Sequence, residues 1–260
     1  MSFRHPHPRS PSPGDPTGGG PGADPGRRPF RVVLPVVALV LAGVFVAVAL
    51  QLRSRDGGSS PAAGVPANVP SALGNLMQLG PAPGDRAPGF TLTDQYGHTV
   101  SLAGFRGRPV VLEFMDPHCT DICPIVSQEF VDAARDLGGA ARHVVFLAVN
   151  VNRYHLGVSD VAAFSSGHGL DEIPTWHFVT GSYRSLRSVW HAYGIYVSAP
   201  GPNADVHHSS VVFFIGPDGR ERYLAWPTDD HRADGAAYLP GAQLTSWGRG
   251  IALVARDLSA

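Results

Sequence analysis

The stretch Pro109-Val-Val-Leu-Glu-Phe-Met115, continuing as Asp116-Pro-His-Cys-Thr-Asp-Ile-Cys-Pro124, decides how this chain folds. Its first half is an almost unbroken apolar run, the pattern of a strand covered on both faces. Its second half carries Cys119 and Cys123, the two cysteines of the chain. Beyond them Ile125, Val126, Phe130, Val131 and Ala134 recur at helical spacing. The reading at this point is strand, cysteine pair, helix.

The flanking sequence extends that pattern. Residues 90–102 alternate on either side of Gly97, a hairpin signal. His143-Val-Val-Phe-Leu-Ala-Val-Asn150 reads as a second buried strand, a helix begins near Asp160, and residues 176–180 read as a short strand. Residues 185–191 read as a further helix. Two strand-like segments, 211–215 and 222–225, flank the turn Gly216-Pro-Asp-Gly219, and residues 244–258 form an amphipathic helix. There are no internal repeats. The expected fold is α/β and thioredoxin-like: a mixed central sheet flanked by helices, with an N-terminal β-hairpin extension.

Upstream, the composition changes. Residues 1–31 are rich in Pro, Gly and Arg and cannot offset the entropy of ordering, so they read as a disordered tail. Residues 32–50 are uncharged and apolar, close to the ~20 residues a bilayer-spanning helix needs. We take residues 32–52 as a transmembrane anchor, 53–84 as a Gly/Pro/Ala/Ser-rich linker and 85–260 as the folded body. Arginines crowd the upstream side, which places the N-terminus in the cytoplasm and the body outside the cell membrane. A cleaved signal peptide ending near Ala47-Val-Ala49 is the alternative.

Over all 260 residues the formal charge is −1 and only 16% of residues are charged, which excludes a basic nucleic-acid binder. Two cysteines are too few for a disulfide scaffold or a four-thiolate zinc site. Three intervening residues would put both thiols on one face if the segment were helical, and a helix N-terminus would favour their ionisation. Such a pair can share a soft metal ion or form a disulfide, and an imidazole is the usual completing ligand. A structural staple is the bland alternative, though so short a loop gains little from closure.

The run Gly107-Arg-Pro-Val-Val-Leu-Glu-Phe114, then Cys119-x-x-x-Cys123-Pro124, then His208-Ser before a strand and Gly216-Pro-Asp-Gly219, resembles the Sco/SenC family. The likeness extends from about residue 87 to residue 258. It implies a thioredoxin-like copper chaperone that supplies the dinuclear copper site of cytochrome c oxidase, with thiol-disulfide redox capability. Its partner would be the copper-bearing oxidase subunit or another extracytoplasmic thiol protein. By position the resemblance implies copper, as Cu(I) or Cu(II), held by Cys119, Cys123 and His208. Cys119 and Cys123 would also be the redox-active pair.

Several residues depart from the family pattern. His207 stands where an Asp usually precedes the ligand, so it competes with His208, and Asp205 is the nearest carboxylate. Asn150-Val-Asn152 replaces an Asp-Pro pair, and Met115-Asp-Pro-His118 replaces a Gly-aromatic-Thr pattern. His118 adjoins Cys119, where it could tune the thiol or bind metal; the plainer expectation is a partly exposed loop residue. Asp121 is expected to oppose thiolate formation. The other histidines, His155 among them, are scattered and read as solvated or core residues.

Two other functions use the same cysteines. A metal-free thiol-disulfide oxidoreductase would need no His208, but the usual spacing for it is one residue shorter. A thiol peroxidase matches Thr120-Asp-Ile-Cys123-Pro124, yet Pro117 lies one place out of the register that chemistry uses. A metal-transfer protein is favoured over an enzyme.

Overall fold

A computed structural model describes residues 64–260. The expected tail, the expected membrane anchor at 32–52 and the start of the linker lie outside the described residues. In chain order these residues form α1 (Ser71–Leu76), β1 (Gly80–Pro81), β2 (Thr91–Thr93), β3 (Thr99–Ser101), β4 (Val110–Met115) and α2 (Ile122–Leu137). There follow β5 (Val145–Asn150), α3 (Val158–Gly167), β6 (Trp176–Val179), α4 (Tyr183–Ala192), β7 (Val197–Ser198) and β8 (His207–His208). The chain closes with β9 (Val212–Ile215), β10 (Glu221–Ala225), β11 (Asp230–His231), β12 (Ala237–Tyr238) and α5 (Gly241–Leu258).

The main sheet has the order β1-β10-β9-β4-β5-β6. Its centre follows from the apolar runs: every residue of β4 and of β5 is buried, as continuous hydrophobic strands require. They pair in parallel, Val110 opposite Val145 through Met115 opposite Asn150. β6 continues the parallel half, while β9, β10 and β1 add antiparallel strands on the other side. The sheet is therefore mixed. The β9–β10 turn closes at Gly219, whose φ of +71° favours a residue without Cβ.

Alternation along β4 divides the core. Val111 and Met115 face a cluster with Phe130 of α2 and Trp247 and Ile251 of α5. Val110, Leu112 and Phe114 face the opposite cluster, with Leu186 and Trp190 of α4. Both sheet faces are thus covered, and the C-terminal ends of β4 and β5 open at one edge of the domain. The β2–β3 hairpin is the expected extension and joins β6 through a bridge from Thr93 to Thr180.

The linker expectation needs correcting over its second half. Val69, Leu73, Met77 and Leu79 are buried in the same core as α5, and β1 pairs with β10. The apolar patch in that segment is a packed part of the body, because Gly250 of α5 leaves room for Met77. Among the described residues no helix is long and apolar enough to cross a membrane.

Candidate functional site

The site forms where β4 ends. Asp116 to Asp121 make a loop, and Asp121 caps α2 by accepting from the Ile122 N–H at 2.6 Å. Helix α2 therefore starts at Ile122, with Cys123 and Pro124 in its first turn, where a missing N–H costs little. The expectation that both thiols share a helical face is not met: Cys119 lies in the loop. The loop instead folds back, so the Cys123 N–H donates to Cys119 Sγ at 3.4 Å. Cys119 Sγ thus reaches the first turn of α2 by loop closure rather than by helical periodicity.

Both cysteines are free thiols, Cys123 buried and Cys119 half-buried. The Cys119 thiol donates to Asp121 Oδ1 at 2.8 Å. Burial alone would raise the Asp121 carboxyl. The hydrogen bonds from Cys119 and from the Ile122 N–H, with the charge of His208, outweigh burial and hold it below the usual aspartate range. Cys123 goes the other way. Its hydrogen bond with Cys119, then burial, then the neighbouring sulfur's charge push its thiol well up. The expected easy ionisation therefore fails at Cys123, since those effects exceed the helix-terminus field.

His208 lies on β8, paired with Val197. Burial lowers its pKa, opposed by the Ser209 carbonyl and by Asp116 and Asp121. Its Nδ1 lies 3.0 Å from the Ser209 carbonyl. An N–H donated there leaves Nε2 as a free lone pair. The strand after His208 is fixed by Glu113 of β4, which accepts from Ser210 Oγ at 3.1 Å and from the Val211 N–H at 3.2 Å. Glu113 was hidden in the apolar run, and burial pushes its carboxyl up to about 8. Glu129 of α2 is buried as well and is pushed well up by burial and by Glu113.

A cavity of about 980 Å³ opens over the loop, lined by Asp116, His118, Cys119, His155 and His207 among others. His207 faces this space, while His208 is set behind it and half-buried. Asp205 is exposed on the rim. The replaced Asp-Pro pair has a structural role: Asn150 donates to the His155 carbonyl and to Thr180 Oγ1, and Asn152 donates to Asp116 Oδ1 at 2.9 Å. These bonds tie the loop after β5 to the cysteine loop.

Among the described residues, the ligand atoms lying within 4.8 Å of one another are those of His118, His155 and Asp160. Cys119, Cys123 and His208 do not form such a group. Sequence reading missed this convergence, because the three residues lie on two loops and a helix start whose proximity is purely tertiary.

Fold and paired thiols together define the class: a thioredoxin-like protein with a dithiol at the entrance to a helix. Within that class the SCO1/SenC family pattern matches residues 81–236, and the chain belongs to that family. The chain is 29% identical to the mitochondrial protein SCO2 homolog of Bos taurus over 245 residues, 88% of this chain and 84% of that one. It is 33% identical to a putative peroxiredoxin of Mycobacterium tuberculosis over 112 residues, 43% of this chain and 65% of that one. The fold is also similar to the crystal structure of Arabidopsis thaliana ScoI with copper bound, with a TM-score of 0.53 and 21% identity. That match covers 66% of this chain and 99% of the other.

Proposed function

We propose that this chain is a membrane-anchored, extracytoplasmic copper-binding protein. It takes copper at Cys119, Cys123 and His208 and delivers it to the dinuclear copper site of cytochrome c oxidase. The observation that carries the reading is the pair of free cysteines brought together at the start of α2, where Cys119 Sγ accepts from the Cys123 backbone N–H. Two soft sulfur donors with a neutral imidazole suit Cu(I). His208 supports this, because its Nδ1–H is directed at the Ser209 carbonyl and its Nε2 remains available. The similarity to a ScoI solved with copper bound supports the same cargo. The three ligand atoms do not all lie within 4.8 Å of one another, so taking up the metal requires the site to close.

Oxidation of the two thiols to a disulfide removes both thiolates as ligands and releases the metal, with two electrons passing to an oxidised partner. The proposed anchor is the apolar stretch at residues 32–52, with the N-terminus cytoplasmic. A metal-free thiol-disulfide oxidoreductase is the second reading, favoured because the ligand atoms of Cys119, Cys123 and His208 do not all lie within 4.8 Å of one another. A thiol peroxidase is disfavoured by the buried Cys123 thiol with its raised pKa, since that chemistry requires a ready thiolate.

The deciding experiment mixes the copper-loaded chain with the metal-free copper-bearing oxidase subunit, once with that subunit's cysteines reduced and once oxidised. Copper appearing in the reduced subunit supports delivery. Disulfide reduction without any copper movement supports the second reading and refutes the first.

A further inference from the structure

A second cluster of ligating side chains lies beside the cysteine loop. His118 comes from that loop, His155 from the loop after β5 and Asp160 from the first turn of α3. The His118 and His155 rings stack with centroids 3.7 Å apart and planes at 28°. His118 Nε2 lies 3.5 Å from Asp160 Oδ1.

The backbone that carries each histidine is held from behind. The His118 backbone N–H donates to Asp116 Oδ1 at 2.8 Å, and the His155 backbone N–H donates to Asn152 Oδ1 at 3.2 Å. Asn152 in turn donates to Asp116, which locks the two loops together. His155 Nε2 lies 3.1 Å from the Pro202 carbonyl; an N–H donated there leaves Nδ1 as the free donor. Metal-binding histidines are commonly oriented by such a carbonyl. Asp160 Oδ2 accepts from the Gly157 N–H at 2.9 Å, leaving Oδ1 turned to the histidines. The two imidazoles line the open cavity, so a cation can reach them.

We infer that His118, His155 and Asp160 form a second metal site, for a borderline divalent cation of the Cu2+ or Zn2+ type. The donor set decides the class. Two imidazoles and one carboxylate are too few oxygens for Ca2+ or Mg2+ and too hard for Cu(I), and they leave open positions for water. The site differs in chemistry from the dithiol and stands whether or not the dithiol carries copper.

The test uses the full chain with Cys119→Ser and Cys123→Ser, which removes the sulfurs and prevents their oxidation. Cu2+ is the probe, because it binds nitrogen and oxygen sites more tightly than other first-row divalent ions. Titration followed by electron paramagnetic resonance is expected to show a Cu2+ signal with nitrogen ligation. Adding His118→Ala, which alters an exposed side chain, is expected to weaken binding at least about tenfold. His155→Gln and Asp160→Ala are expected to do the same, while His208→Ala and His231→Ala leave it unchanged. Unchanged Cu2+ affinity and signal in His118→Ala and His155→Gln would leave only a surface ion pair and overturn the inference. So would loss of the signal in His208→Ala alone.

Discussion

The backbone N–H of Cys123 points at the sulfur of Cys119 across 3.4 Å. That contact joins a loop residue to the first turn of α2, and the two thiols it brings together sit in unequal surroundings. Cys119 is half-buried, and its thiol already donates to Asp121. Cys123 is buried, and its thiol is pushed up by Cys119 and by the loss of water.

The inequality has a direct chemical consequence. Alkylation of the reduced chain near neutral pH is expected to modify Cys119 at least about tenfold faster than Cys123, because Cys119 is the more accessible and the Cys123 thiol is pushed up. Mass spectrometry of partially labelled protein reads the order. Preferential labelling of Cys123 would contradict the described environment.

Buried Glu113 links stability to pH. Its folded pKa of about 8 lies above its ordinary 4.5, so the folded chain binds a proton the unfolded chain loses. Below about pH 4.5 both states are protonated and nothing is lost; between about 4.5 and 8 this group lowers stability by at most about 1.4 kcal/mol per pH unit. Glu129, shifted in the same direction, adds to the slope. Urea midpoints taken across this range are expected to fall with rising pH, and less steeply in Glu113→Gln. Parallel slopes for the two proteins would refute the assignment.

Much of this architecture is readable in advance, and the exceptions have physical causes. The runs at β4 and β5 announce themselves because strands buried on both faces are built almost wholly of apolar residues. The late hairpin declares itself through Gly216-Pro-Asp-Gly219. The segment around Leu73 and Met77 is different: it is too short to show a period, and its partner surface on α5 is remote in sequence. Placing Cys119 outside the helix depends on Asp121 capping α2, a local competition that spacing alone does not resolve. Glu113 looks like an interruption of an apolar strand until its partners at Ser210 and Val211 are seen. The meeting of His118 with His155 depends on two loops being tied by Asn152 and Asp116.

Close approach of α2 and α5 gives a third prediction. A Cβ at Gly248 would lie 2.6 Å from Asp132 Cβ and 3.1 Å from the Ala133 backbone nitrogen. Alanine's better helix propensity offers about 1 kcal/mol, but forcing the helices apart costs about 1–3 kcal/mol. Gly248→Ala is therefore expected to lower the unfolding temperature by a few degrees. A raised unfolding temperature would show that the two helices are not packed this closely.

The copper reading predicts that a cysteine and the imidazole of His208 act as one ligand set. Removing either sulfur should lower affinity by at least about tenfold, and His208→Ala should weaken binding while leaving both thiols countable. His207→Ala, which alters the exposed neighbour, should leave affinity close to that of the parent chain.

The most direct measurement is anaerobic Cu(I) titration of the reduced full chain, compared with Cys119→Ser and Cys123→Ser. The account predicts one tightly held Cu(I) per chain and its loss in both variants. Unchanged copper retention after either substitution would contradict it.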